Sequence, residues 1–463
     1  MSTTASTSLE RDLTALLGAG SVLPGTTRSY LTDATESRNL RGKADAIALP
    51  ADADQVARTV GWCYDHDVAI IPRGGGTGFT GGAVPLDGGV VLSLERLRKT
   101  RHLDPELWRA AVEAGVITAD LRRRARENGL FYPPDPGSAE QSQLGGNIAT
   151  NAGGPHAFKY GVTGAWITGL EVVLAPGELV RIGGPLRKDV AGYDIKSLMI
   201  GSEGTLGVVT AAWVKLVPAP EAALPLAALY PDSAAGCAAI EMILGSGIVA
   251  AAIEYLDAGA VAATRGAFPV ELPDNARFMV LADADGTADE AARIHEELNE
   301  VLSEQAVLVH APTDAKEINA LWRWRDGASL AVTAQRGGKV SEDIVVPIDR
   351  LQQAIDETVE IGRRHDIEAC SWGHAGDGNL HSTFMIDLDD PAELERAEHA
   401  AGDLFALAIQ LGGSVSGEHG IGLVKNGQIA AQWQPAAVAM HEAIKRCFDP
   451  KGLLNPGKKL ARV

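Results

Sequence analysis

Two glycine-dense stretches constrain this chain more than any other feature. Residues 72–89 (PRGGGTGFTGGAVPLDGG) and 137–169 (GSAEQSQLGGNIATNAGGPHAFKYGVTGAWITG) each hold eight glycines, so sixteen of the chain's 52 glycines fall within 51 of its 463 residues. Without a Gly-X-Y period, such density marks backbone that must turn tightly or approach something closely. Successive N–H groups with no Cβ in the way form anion-binding concavities that need no helix. The first stretch contains Gly76-Thr77-Gly78-Phe79-Thr80-Gly81, a GxGxxG run after the strand-like Val68–Pro72. It does not open into a helix: Pro85 and Asp87-Gly88-Gly89 lead instead into VVLSLERL, which reads as a strand. That context argues against a Rossmann turn, and no GKS or GKT follows a glycine run to make a P-loop.

The surrounding pattern is α+β. Residues 8–20, 52–66 and 119–128 read as helices, and 45–50, 68–72 and RAAVEAGV as strands. ITGLEVVLAPGELVRIGG reads as a hairpin turning at Pro176-Gly177. Pro218 and Pro220 mark a boundary. Beyond it PLAALY, IVAAAIEYL, FMVLADAD and AVLVHA alternate with helices near 232–244 and 287–302, a pattern in which helices cover one face of a sheet. A helix over 314–335, the strand IVVPI, a helix from about 349 and the helix start Asp390-Pro391-Ala392-Glu393 follow. The expected organisation is an N-terminal helical segment (1–44), a first domain (45–218), a cap domain (219–455) carrying an antiparallel sheet, and a tail (456–463).

A net charge of −19 with no basic run disfavours nucleic acid, so any anionic ligand needs a local cation. Cys63, Cys237, Cys370 and Cys447 are scattered without a CxxC pair, which speaks against a disulfide framework, a cysteine zinc site or an iron–sulfur cluster. The sequence shows neither a signal-peptide pattern nor an apolar run of about 18 residues, and the reading is a soluble, cytoplasmic chain.

His374 and His381 flank a turn signal, Asp377-Gly378-Asn379, between strand-like CSWGH and HSTFMI. A hairpin would set the two imidazoles opposite one another, within reach of one metal ion. Glu418 and His419, in SGEHGIG, are candidates for a third ligand, with Gly417, Gly420 and Gly422 allowing the backbone to turn. Two histidines and one carboxylate leave coordination positions open, as in catalytic zinc, and also suit manganese or iron. The remaining histidines, His156 among them, lack such company and read as structural.

These motifs together resemble the flavoproteins with a vanillyl-alcohol-oxidase-type FAD domain, in particular the branch of glycolate oxidase flavoprotein subunits and D-lactate or D-2-hydroxyglutarate dehydrogenases. The carriers are PRGGGTGFTGG, YPPDPGS, LGGNIATNAGG, KYG, GYDIKSLMIGSEGTLGVVT, GHAGDGNLH, SGEHGIG and LNPGK, spanning about Asp45 to Leu460. The resemblance implies that Pro72, Arg73, Gly74, Gly75, Gly76, Thr77, Gly78 and Gly81 wrap the FAD pyrophosphate. It further implies that Pro136, Gly137, Ser138, Gly145, Gly146, Asn147, Ile148, Thr150, Asn151, Gly153 and Gly161 line the flavin and ribityl chain. Glu203, Gly207 and Val209 would lie by the ribose and adenine, and Asn455 near the isoalloxazine ring. Relatives with covalent FAD carry a histidine where Thr77 stands here, so the flavin is expected to be non-covalent.

By the same resemblance His374, His381 and Glu418 bind a divalent metal, zinc first, and His419 is the base for a 2-hydroxy acid whose Cα hydrogen leaves as hydride. Arg325, in LWRWRD, would grip the substrate carboxylate with its guanidinium fork, with Lys339, Asn379 and Thr383 as further substrate contacts. Relatives acting on D-2-hydroxyglutarate often carry Asn and Lys where Thr383 and Ser341 stand here, which favours D-lactate or glycolate over a diacid. With no haem or iron–sulfur motif, electrons must pass to an external acceptor: a partner subunit, a quinone, an electron-transfer flavoprotein or oxygen. A homodimer, or peripheral attachment to a membrane through that acceptor, is compatible with the sequence. A metallohydrolase whose glycines hold a phosphate-bearing substrate is the reading outside redox chemistry, distinguished by the lack of a flavin absorbance band.

Overall fold

The computed structural model describes residues 8–38 and 40–460; residues 1–7 of the N-terminal segment and 461–463 of the tail lie outside the described residues. In the first half, the short apolar strands Ala46–Ala48, Val90–Ser93 and Ile70–Arg73 pair in parallel, and Val22–Pro24 adds an antiparallel edge. The helix Ala53–Asp65 makes the crossover. It starts where Asp52 accepts a hydrogen bond from the Gln55 N–H and buries Val56, Val60 and Cys63 against Ile70, Val90 and Leu92. A five-stranded sheet follows, ordered Thr100–Asp104, Arg109–Glu113, Val208–Lys215, Ile167–Leu174, Glu178–Gly183. The last two strands are the expected hairpin. The helices Thr118–Glu127 and Leu144–Thr150 pack on this sheet through Leu121, Ala125, Leu144 and Ile148. The second of them, LGGNIAT, carries no helical signal in the sequence because its glycines lower propensity. Contact decides it: the helix lies so near the sheet that a Cβ at position 145 would sit 2.7 Å from that of Ala114.

The second half is built on a seven-stranded antiparallel sheet ordered Leu308–His310, Ala222–Tyr230, Phe278–Gly286, Ala252–Leu256, Ala369–His374, Asn379–Ile386, Gly338–Val345. Helices lie on both faces rather than on the one expected. Ser233–Gly245, Ala288–Ser303, Leu351–Arg364 and Pro391–Gln410 cover one face. Ala258–Thr264, Ala315–Asp326 and Ala328–Arg336 cover part of the other; the helix expected over 314–335 is split at Gly327. Strand alternation sorts the side chains. Val280, Ala282 and Ala284 go to the first core, while Asp283 and Asp285 point the opposite way, toward the first half of the chain.

The halves are joined by both ends of the chain. Arg38 reaches across to Glu342 and Glu398. The C-terminal helix Pro435–Phe448 returns to pack Ile444 and Phe448 on the first half, and Leu454 bridges Ile70. Between them, the second glycine stretch itself docks on the cap sheet through its residues 156–160. Lys159 Nζ and the Tyr160 hydroxyl donate to Asp285 at 2.5 and 2.6 Å, and His156 lies between Asp135 (2.5 Å) and Asp283 (3.2 Å). Burial opposes charging of His156, but its two carboxylates outweigh burial and raise its pKa from 6.5 to about 10. A pKa raised on folding stabilises fully below the unfolded value and loses that contribution as pH climbs through the folded one. The thermal midpoint is therefore expected to fall between pH 6.5 and about 10, and to fall less in His156→Asn; equal slopes in the two proteins would show that this link carries no stability.

Candidate active site

The faces of three adjacent strands assemble the site. Trp372 and His374, His381 and Thr383, and Lys339, Ser341 and Asp343 occupy alternate positions on their strands, and all lie on the sheet face turned to the first half. The two histidines are not directly opposite, as the hairpin reading had them. His374 pairs with Asn379 and His381 with Trp372, so the imidazoles meet diagonally, edge to face, with centroids 5.2 Å apart.

Glu418 Oε1 lies 3.2 Å from His374 Nε2 and 3.5 Å from His381 Nε2, and the three ligand atoms sit within 4.8 Å of one another. His381, pushed down to about 3 by burial and by neighbouring His419, is a neutral imidazole whose Nδ1 is buried without a hydrogen-bond partner. Glu418 is buried, which alone would raise its pKa, yet the neighbouring imidazoles hold it down to about 2. His381 and Glu418 are thus already in the forms that bind a divalent cation, whereas His374, which burial would lower but Glu254 and Glu418 hold well above the usual imidazole range, must give up its Nε2 proton to an incoming ion; with that exchange the donor set fits one. Asp343, His381 and His419 also cluster, but both Asp343 oxygens already accept hydrogen bonds, from the Ser416 hydroxyl, the N–H groups of Gly417, Glu418 and His419, and Asn379 Nδ2. That leaves His374, His381 and Glu418 as the set whose ligand atoms face one another rather than backbone donors.

Glu254, which carries no sequence signal, organises the cluster from behind. Fully buried, its carboxylate accepts from His374 Nδ1 at 2.6 Å and pairs with Arg325. It fixes which His374 nitrogen faces the cluster. Arg325 is buried too, and its Nε has no hydrogen-bond partner. Lys339 donates to Ser329 and lies over the Trp372 ring. His419 stacks on His381 (5.2 Å, 12°) and is flanked by Phe79 of the first glycine stretch at 4.6 Å.

One cavity of about 930 Å³ runs from this cluster to the glycine stretches. Its size is near the upper end of small-molecule sites, roughly 300–1,000 Å³. Its wall includes Pro72, Arg73, Gly74, Gly75, Gly76, Thr77, Gly78, Pro136, Gly137, Ser138, Gly145, Gly146, Asn147, Thr150, Gly153, Glu203, Gly207 and Val209, together with Arg325, Lys339, His374, His381, Glu418 and His419. A Cβ at Gly78, Gly137 or Gly146 would meet no protein atom, which leaves the backbone there open to a large planar or anionic group. Gly153 joins the two regions: a Cβ there would lie 2.6 Å from Glu418 Oε2. Seven expected residues stand outside that wall. Gly81, Ile148 and Gly161 are behind it, Asn151 accepts from Gly164 N–H, Asn379 donates to Asp343 and Ile344, and Thr383 bonds to Ser341 at 2.8 Å. Asn455 is also off the wall, donating to Gly82 and Glu203 carbonyls. Arg73 lines the cavity, but its guanidinium donates to Ser29 and Thr32 carbonyls. His156, Trp322 and Asp283 line it unexpectedly. The alternation of Asp283 and Asp285 with alanines in LADADG was the signal that could have found the carboxylate there.

A glycine-lined cavity that ends on imidazoles and carboxylates, in this two-domain arrangement, defines an FAD-linked oxidoreductase. Residues 44–183 match the FAD binding domain and residues 219–459 the family "FAD linked oxidases, C-terminal domain", and the chain belongs to that family. It is 39% identical to the glycolate oxidase subunit GlcD of Bacillus subtilis, over 94% of this chain and 92% of that protein. It is 33% identical to the D-lactate dehydrogenase of Anaerostipes hadrus, over 90% of each. The fold is of the vanillyl-alcohol-oxidase type: it superposes on 4-ethylphenol oxidase from Gulosibacter chungangensis with a TM-score of 0.78, covering 98% of this chain and 96% of that one at 20% identity.

Glu254→Gln is expected to lower divalent-metal affinity about 10–100-fold while leaving flavin content unchanged; calorimetric titration of metal into the flavin-loaded protein measures it.

Proposed function

We propose that this chain oxidises a small D-2-hydroxy acid, D-lactate, or the achiral glycolate, to the 2-oxo acid. The observation that carries the reading is that the His374, His381 and Glu418 ligand atoms converge beside His419 in the cavity that also holds Arg325. The names of the two relatives, a glycolate oxidase subunit and a D-lactate dehydrogenase, support the same chemistry. FAD, when bound, supplies the acceptor for the Cα hydrogen and its electron pair, and a divalent ion, zinc first, supplies Lewis acidity toward the hydroxyl.

The chain's own residues do the rest. The unpaired Arg325 Nε–H, in a guanidinium already steadied by Glu254, binds the substrate carboxylate, and Lys339 adds a second positive charge. His419 Nε2 takes the hydroxyl proton; its ring is fixed by stacking between Phe79 and His381. A diacid would need a polar grip further out, but Ser341 and Thr383 hydrogen-bond to each other, which supports a short monoacid. Thr77 offers no nucleophile equivalent to histidine for a flavin linkage, so FAD is held non-covalently. Among the described residues no helix is long and apolar enough to cross a membrane, and the electron acceptor is external.

A panel of D- and L-2-hydroxy acids with a dye acceptor, with and without chelator, tests the reading; activity confined to short D-acids or glycolate and lost with chelator is expected. His419→Ala should slow flavin reduction by roughly 10²–10⁴-fold, and a near-native rate would remove its role as base. Acid precipitation should leave the flavin in the supernatant, whereas a yellow pellet would establish a covalent link.

A further inference from the structure

The loop that carries Glu418 and His419 has no regular secondary structure of its own, yet it must hold two side chains at fixed separation. Its backbone hydrogen bonds show how. On the cap side, fully buried Asp343 gathers the Ser416 hydroxyl (2.8 Å) and the N–H groups of Gly417 (2.9 Å), Glu418 (3.0 Å) and His419 (3.0 Å) on Oδ2. Its Oδ1 accepts from Asn379 Nδ2 at 2.7 Å. Only a glycine permits so close a wrap: a Cβ at position 417 would lie 2.4 Å from Asn379 Nδ2 and 2.9 Å from Asp343 Oδ1.

On the other side the flavin half takes over. Glu203, buried and in a left-handed conformation (φ 55°), accepts from Ile421 N–H at 2.9 Å and Gly422 N–H at 2.6 Å, and its Oε1 lies 3.3 Å from Lys459 Nζ. The Thr80 carbonyl, in the first glycine stretch, accepts from Leu423 and Val424 N–H. With its oxygens so engaged, Glu203 turns its carboxylate to this loop, although its residue also borders the cavity.

We propose that Asp343 and Glu203 are positioning residues: two buried carboxylates, one from each half, suspend the Ser416–Gly422 loop so that Glu418 and His419 meet the histidines of the cap sheet. The role for the loop rests on the function proposed above. Bonds from amide N–H to carboxylate are the strong, charge-assisted kind, and a carboxylate offers the several acceptor sites such a wrap requires. Neither residue touches substrate; each acts through the loop it holds.

The test is hydrogen–deuterium exchange of peptides covering residues 414–424, together with Zn²⁺ titration calorimetry, on the flavin-loaded wild type, Asp343→Asn, Glu203→Gln and Ser416→Ala. In Asp343→Asn and Glu203→Gln the loop amides are expected to exchange at least about tenfold faster, with protection elsewhere unchanged. Zn²⁺ affinity should fall by about 10–100-fold with flavin retained. Should Asp343→Asn not fold, Ser416→Ala, which removes one donor, supports the proposal through a smaller change in the same peptides. Unaltered loop exchange in folded Glu203→Gln and Ser416→Ala overturns it, as does faster exchange spread evenly over the whole chain. A wild type that binds no Zn²⁺ removes the metal reading of the site, and the exchange result then decides the positioning role by itself.

Discussion

A carboxylate removed from water has to find donors or cations. In this protein the requirement is met between segments that are distant in sequence. Asp285 is satisfied by Lys159 and Tyr160, Asp283 meets His156 through one of its oxygens, Glu254 meets His374 and Arg325, and Asp343 takes the Ser416 hydroxyl and the 417–419 N–H groups. Leaving one such group unpaired would cost several kcal/mol, so each match fixes the relative position of two parts of the chain. The cap sheet thus presents a polar face that becomes stable only when the glycine stretches and the 416–422 loop are in place against it. Building the cavity and satisfying the charges are one process.

The same requirement explains how much could be read from the sequence. Helix 53–65 was legible because Asp52 and the apolar period of Val56, Val60 and Cys63 are local signals, and so was the hairpin at Pro176-Gly177. The glycine stretches and the GHAGDGNLH and SGEHGIG motifs were legible as places of close approach. Their partners were not. Glu254 sits in an apolar strand, IVAAAIEYL, where an isolated acid has no period to betray it, and its meaning comes from pairing that strand with the one that ends at His374. His156 looked like a solitary histidine because neither of its carboxylates is a near neighbour in sequence: Asp135 is 21 and Asp283 is 127 positions away.

Alternation was the signal read least well. In GKVSEDIV, Lys339, Ser341 and Asp343 share one face, and in FMVLADADG, Asp283 and Asp285 share another that lies on the same side of the sheet. Both strands were recognised, at least in part, but which face met the core and which met the first half depended on a sheet order that links strands from across more than a hundred residues. The diagonal placement of His374 and His381 has the same origin, since register is set by the whole ladder rather than by the turn between them.

The crossing of the chain ends carries a mechanical consequence. Residues near 38 lean on the cap, the chain passes to the cap after Pro218, and the helix 435–448 brings it back to the flavin half. Two stretches of covalent chain therefore span the seam, the ion pairs of Arg38 tie it at a third point, and no one pivot serves all three. Rotation of one half away from the other, the way many two-domain enzymes admit their ligands, would have to strain several tethers at once. The geometry of these tethers favours access to the cavity through side chains and loops at its mouth over the swinging apart of the two halves.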